Sequence, residues 1–137
     1  MTWQFNSSEP VFIQLARKMR IEILTGVYSS GEQIPTVRQI SAEASVNPNT
    51  VQRSLLLLEN EGLLCAHGTT GRFVTEDEEL LSLAREKMRQ LEVCRLLEKT
   101  RELGITKEEL LKYIELIEAN EKIEANKTNE KEEGSDE

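Results

Sequence analysis

Apolar residues recur at three- and four-residue steps through most of this chain, and the pattern breaks at a few glycines and prolines. Phe12, Leu15, Ala16, Met19 and Ile23 share one face and predict a first helix. Ser8-Glu9-Pro10 opens it, with Ser8 or Glu9 near the cap and Pro10 in the first turn, and Gly26 ends it. The segment from there to Gly31 reads as a loop. Thr36 and Gln39 stand in capping-box spacing, so a short second helix carries Val37, Ile40 and Ala44. Asn47-Pro48 restarts the chain as N-cap and first helical residue, and a third helix runs through Val51, Leu55 and Leu58 to Gly62. In the run Leu55-Leu56-Leu57-Leu58, Leu56 and Leu57 cannot both face inward. Leu63 to Ala66 and Arg72 to Thr75 form two brief strands around His67-Gly68-Thr69-Thr70-Gly71.

Three helices followed by a hairpin, with helices two and three only a few residues apart, make a winged helix-turn-helix. From Glu76 the pattern changes. Leu80, Ala84, Met88, Leu91, Leu96, Leu97 and Leu103 predict a long amphipathic helix ending at Gly104. Thr106 and Glu109 form a second capping box, before a helix with Leu110, Tyr113, Ile114 and Ile117 on its apolar side. Neither helix can bury its stripe on the other alone, so the hairpin calls for a second copy. Leu80, Ala84, Met88, Leu91, Leu110, Tyr113, Ile114 and Ile117 are the expected dimer interface. Beyond Asn120 the residues are almost all polar, which predicts an acidic, disordered tail. The expected fold is mainly α with a small β-hairpin. Its expected domains are a winged helix domain at 1–75, a helical dimerisation domain at 76–119 and the tail at 120–137.

Charge and composition narrow the function. The chain has 137 residues, 38% hydrophobic, and a formal charge of −8. Residues 1–75 hold six cations and six anions, so the whole acidic excess lies in 76–137. A net negative protein argues against nucleic acid as partner, but a neutral first half removes that objection. No run of about 18 apolar residues occurs, which excludes a spanning helix. The start, Met1-Thr2-Trp3-Gln4-Phe5, lacks a secretory layout, so no membrane partner and a cytoplasmic location are expected. Cys65 and Cys94 are too few for a disulfide framework or a Cys-only zinc site. One histidine, no glycine-rich phosphate loop and no nucleophile with a recognisable base leave no enzyme and no cofactor to propose.

Several motifs occur in a fixed order: Pro10-Val11-Phe12-Ile13-Gln14, Gly26, Gly31, Ile34-Pro35-Thr36-Val37-Arg38 and Leu58-Glu59-Asn60-Glu61-Gly62-Leu63. Together they resemble the N-terminal domain of GntR-type bacterial transcription regulators. Val46-Asn47-Pro48-Asn49-Thr50-Val51-Gln52, and a C-terminal part of about two helices, resemble the YtrA subfamily. Two positions depart from the family pattern. Ser30 stands where proline usually precedes Gly31, and Arg72 occupies a wing position that is commonly small. The wing also lacks a basic residue at its tip.

The resemblance implies a DNA-binding regulator that dimerises on an inverted-repeat operator in double-stranded DNA. It further implies a repressor, often of its own operon, and often one for an ABC transporter. Asn49, Thr50, Gln52 and Arg53 supply donors and acceptors near the start of the third helix, where such a helix meets base edges. Asn and Gln can read adenine with two hydrogen bonds, and Arg53 can reach guanine or phosphate. Asn47 and Pro48 begin that helix. Arg38 suits a phosphate, while His67, Gly68 and Arg72 are the wing candidates. Arg17, Lys18 and Arg20 offer further phosphate contacts, though charges on an exposed helix face are also ordinary. The competing reading is a winged helix adaptor that binds a protein partner through its acidic helices. Nothing in the sequence names a small-molecule effector.

Overall fold

Among the described residues, 3–134 of a computed structural model, the elements run α1 (Val11–Leu24), α2 (Val37–Ala44), α3 (Pro48–Asn60), β1 (Leu64–Ala66), β2 (Arg72–Val74), α4 (Glu78–Glu102) and α5 (Lys107–Glu133). The chain divides between residues 89 and 90 into two compact units.

The first unit is built on the stripe of α1. Leu15, Ala16, Met19 and Ile23 are buried together with Val51, Leu55 and Leu58 of α3 and Ile40 and Ala44 of α2. Removing each large apolar side chain from water contributes about 1.5–3 kcal/mol. The four-leucine run resolves as its geometry demands. Leu55 and Leu58 are buried, Leu57 packs partly on the core and Leu56 points out.

Helix α1 starts at Val11 with Pro10 as its cap residue, slightly later than the Ser8 or Glu9 cap expected. Gln14 is the reason. Its buried side-chain amide accepts from the Asn6 N–H at 3.0 Å and donates to the carbonyls of Asn6 and Glu9, each at 2.8 Å. Those bonds hold residues 6–9 in a bend outside the helix. The predicted capping box on α2 is present, with Thr36 Oγ1 accepting from Gln39 N and Gln39 Oε1 from Thr36 N.

In the hairpin, Leu64 pairs with Val74, Cys65 with Phe73 and Ala66 with Arg72. The far edge of β2 is paired too, because Gly31 N–H donates to Val74 O, Val74 N–H to Glu32 O and Ile34 N–H to Arg72 O. The pattern of apolar residues around Gly31 carries no sign of this extra pairing. Gly62 closes α3 at φ +82°, and a Cβ there would meet Leu80 Cδ1 at 3.0 Å. Glycine lets α3 end in a left-handed turn while a leucine of α4 presses against it.

That leucine belongs to a segment assigned by sequence to a separate domain. Leu81 is buried in the first unit's core, and Leu80, Ala84 and Met88 pack partly against it. Arg85 Nε donates to the Leu24 carbonyl at 2.6 Å, satisfying the C-terminal end of α1. The opening turns of α4 thus belong to the first unit, past the boundary expected at 75/76.

In the second unit α4 ends before Gly104, where Ile105 N–H donates to Thr100 O. The Thr106–Glu109 capping box then opens α5. α5 continues unbroken to Glu133, where a tail without structure was expected from Asn120. The reason is intrinsic propensity. Glu, Lys and Ala are strong helix formers, and Glu118 stands four residues before Lys122. Positions 135–137 of the expected tail lie outside the described residues. No described helix is long and apolar enough to cross a membrane.

One buried group stands against the packing. Glu22 on α1 is buried, and neither carboxylate oxygen has a partner in hydrogen-bond geometry. Burial raises its pKa above 4.5, against the opposing pull of Lys18 and the Tyr28 hydroxyl. The folded state therefore holds this proton more tightly than the unfolded chain. The contribution of Glu22 to stability is full below about pH 4.5 and falls as pH rises through the higher folded value. Glu22→Gln, which cannot titrate, is expected to flatten this fall, as read by urea unfolding across pH 4–8. Leu81→Ala is expected to cost about 2–4 kcal/mol in the same assay, as a core residue does, whereas truncating a residue of a separate domain would leave the first unit's stability unchanged.

Candidate nucleic-acid interface

Helices α2 and α3 meet across a turn in which Ser45 adopts a left-handed conformation, φ +54°. Val46 N–H donates to Ser41 O, and Ser41 Oγ returns a bond to Val46 O, so the turn is fixed from both sides. Asn47 caps α3 by accepting from Asn49 N at 2.8 Å, and Pro48 takes the first helical position. The side chain of Asn47 is thereby engaged in its own helix.

Behind α3, the buried Ser54 hydroxyl donates to Phe12 O at 2.8 Å and lies 3.1 Å from Thr50 O. With Val51, Leu55 and Leu58 also inward, the opposite face is fixed by helical period. That face presents Asn49, Gln52 and Arg53, all exposed, with Thr50 half-buried beside them. Three of the expected base-reading residues therefore lie together at spacings of three and four along the first turns of α3. Arg53 is not loose, since its guanidinium lies 3.8 Å from the centre of the Phe12 ring.

The remaining cations of the first unit sort by their partners. Arg17 pairs with Glu9 at 2.7 Å, and Arg20 makes a two-point contact with Glu61. Lys18 sits 4.3 Å over the Trp3 ring. These three are occupied on α1, in keeping with an ordinary surface role. Arg38 is exposed near the start of α2, and among the described residues it has no ion pair, hydrogen bond or ring contact. Within residues 1–75, Arg38 and Arg53 are thus cations for which no ion pair is seen among the described residues, and they stand on the two helices that flank the turn.

The wing is arranged differently from expectation. His67 and Gly68 are exposed at the turn, and the His67 ring meets Phe73 edge-on at 5.0 Å. Gly71 has φ +120°, and a Cβ would fall 2.7 Å from Gln33 Nε2, which donates to Thr70 O. The positive φ is what favours glycine there, since the flexible Gln33 side chain can give way. Arg72 points back onto α3. Its Nε donates to Glu59 at 2.5 Å, and its Nη1 donates to Gln52 Oε1 at 3.2 Å. Sequence reasoning missed Glu59 and Phe12 as parts of this surface. The unusual arginine at position 72 was the one available signal.

The expected dimer residues separate into two groups. Leu80, Ala84 and Met88 are half-buried on the first unit's own core. Leu91, Tyr113, Ile114 and Ile117 are exposed, and Leu110 is half-buried, in the second unit.

Residues 13–74 match the family of bacterial regulatory proteins known as the gntR family. The HTH-type transcriptional regulator YhcF of Bacillus subtilis is 30% identical over 85 residues, spanning 62% of this chain and 70% of YhcF. The HTH-type transcriptional repressor YtrA of the same organism is 29% identical over 91 residues, with the same shares covered. Among solved structures, a GntR family transcriptional regulator from Listeria monocytogenes superposes with a TM-score of 0.75 at 27% identity, covering 81% of this chain and 97% of that one. With its winged helix-turn-helix in place and these relatives beside it, the chain belongs to the GntR family of bacterial transcription regulators, in the company of YtrA-type members.

Proposed function

We propose that the protein is a homodimeric repressor that binds an inverted-repeat operator. The observation that carries this reading is the exposed face of Asn49, Gln52 and Arg53 at the start of α3, flanked by an unpaired Arg38. Asn49 and Gln52 meet base edges in the major groove, and Arg38 and Arg53 bind the backbone or guanine. A repressor role is supported by the likeness to YtrA, which is named a transcriptional repressor. The operator of its own operon, encoding an ABC transporter, is the target that the family resemblance implies.

Dimerisation rests on a separate observation. Leu111, Tyr113, Ile114, Leu116, Ile117 and Ile123 are all exposed along α5. Water-facing apolar surface of this extent marks an association site. Its residues recur at helical spacing, which suits helix-on-helix pairing with a second copy. Two half-sites then convert modest contacts into useful affinity. Leu80, Ala84 and Met88 have a smaller part in this interface than Leu91, Leu110, Tyr113, Ile114 and Ile117, since they serve the first unit's core.

With few unpaired cations per subunit, binding is expected to show a shallow salt dependence. Arg38→Ala should weaken operator binding by about tenfold and reduce the salt slope by about one per subunit, as measured by fluorescence anisotropy between 50 and 200 mM salt. Asn49→Ala should weaken binding by a similar factor, about tenfold, with the slope unchanged. Normal binding by both variants, or retention of a protein partner with no DNA binding at low salt, would favour the adaptor reading instead. Ile114→Asp with Ile117→Asp should convert the dimer to a monomer in analytical ultracentrifugation while the first unit stays folded.

A further inference from the structure

The wing arginine has an arrangement that the family reading leaves unexplained. Arg72 lies on β2 opposite Ala66, half-buried, and its guanidinium is directed at α3. It binds Glu59 through Nε and Gln52 through Nη1. Glu59 and Gln52 are two helical turns apart, so one planar group spans the outer face of α3.

From this we infer that Arg72 is a positioning residue: it fixes the amide of Gln52 so that Gln52 reads guanine rather than adenine. The inference rests on the proposed DNA-binding role of α3. The chemistry starts from donor inventory. A guanidinium only donates, so the Gln52 atom facing it must be the amide oxygen. The amide nitrogen, with its two N–H donors, is consequently directed away from Arg72. Two-point reading of adenine needs that oxygen to accept from the adenine amino group while the nitrogen donates to N7. Here the oxygen is held by a cation, and the adjacent positive charge opposes an incoming amino hydrogen. Guanine presents two acceptors, N7 and O6, which suit an outward amide nitrogen beside a positive group. Glu59 anchors the other side of the guanidinium, which keeps Arg72 off the phosphates. A family position that is usually small thus becomes a determinant of which base is chosen.

The operator is first defined by selecting a random duplex pool on the full-length protein. Each base pair of a half-site is then varied through all four identities, and affinities are measured for the wild type, Gln52→Ala, Arg72→Met, Arg72→Lys and the Arg72→Met/Gln52→Ala double variant. Gln52→Ala identifies its base pair as the position where preference disappears. The wild type should favour guanine over adenine there by about tenfold. Arg72→Met should cut that ratio to about threefold or less, or turn it toward adenine, and the double variant should match Gln52→Ala at that position. Arg72→Lys keeps a charge beside Glu59 but lacks the fork to reach Gln52, so it should lose discrimination while melting like the wild type.

The salt slope separates this role from a phosphate contact. It should be unchanged in Arg72→Met. A slope lowered by about one per subunit, adenine preference in the wild type, or full guanine preference in both Arg72 variants would overturn the inference. Absence of any selected sequence for the wild type at low salt would instead remove the DNA-binding reading on which it rests.

Discussion

The contact between α1 and α3 is the constraint on which the rest of the first unit depends. A helix that reads a duplex must keep one face dry and the other wet, and must do so with little rotational freedom. Leu15, Met19 and Ile23 bury one side of α3 through Val51, Leu55 and Leu58. The fully buried Ser54 hydroxyl then pins the register by bonding the Phe12 carbonyl. A rotation of α3 by one residue, roughly 100°, would break that bond and expose Leu55. The same contact places Phe12 under Arg53, so the packing that holds the helix also orients one of its outward cations. Position and chemistry are linked through a single interface.

Electrostatics follow from how scarce the cations are. The first half of the chain has as many anions as cations, and a surface of that kind gains little from bulk positive potential. What matters is where the charges are neutralised. Glu9, Glu61 and Glu59 take up Arg17, Arg20 and Arg72, whereas Arg38 and Arg53 have no carboxylate partner among the described residues. Pairing inside the fold therefore leaves Arg38 and Arg53, one on each helix of the α2–α3 turn, available to a partner. The surface ion pairs add little stability, about 0–1 kcal/mol each. Their consequence is spatial.

Sequence made the helices and their caps legible because those depend on neighbours within four residues. Thr36 with Gln39, Asn47 with Pro48 and Thr106 with Glu109 each form the cap their spacing predicts. The α3 face was legible for the same reason, since helical period fixes which side Asn49, Gln52 and Arg53 occupy. What sequence could not carry were contacts across long separations. Arg72 meets Gln52 from 20 positions away, and only the hairpin register of β2 brings it there. Leu81 reads as part of an uninterrupted amphipathic stripe, and nothing local distinguishes the turns that cover the first unit from those that do not. The end of α5 was misread in the opposite direction. An absence of apolar residues says that no core forms, but Glu, Lys and Ala can still hold a helix.

Scarce charge and prearranged side chains together decide what kind of binder this surface makes. Each phosphate contact adds affinity for every sequence alike, so a surface with few of them has a low non-specific background. Affinity for the right sequence must then come from side chains that lose little freedom on contact. Arg53 already lies on Phe12 and Gln52 already lies on Arg72, so part of the ordering cost is met in the folded protein. Such an arrangement favours discrimination over strength at each half-site. A single copy with so few contacts would bind weakly, and the proposed pairing through the exposed apolar residues of α5 would offset that. Under the proposed pairing of two copies, discrimination would multiply as well as affinity, because a wrong base would be rejected in both half-sites.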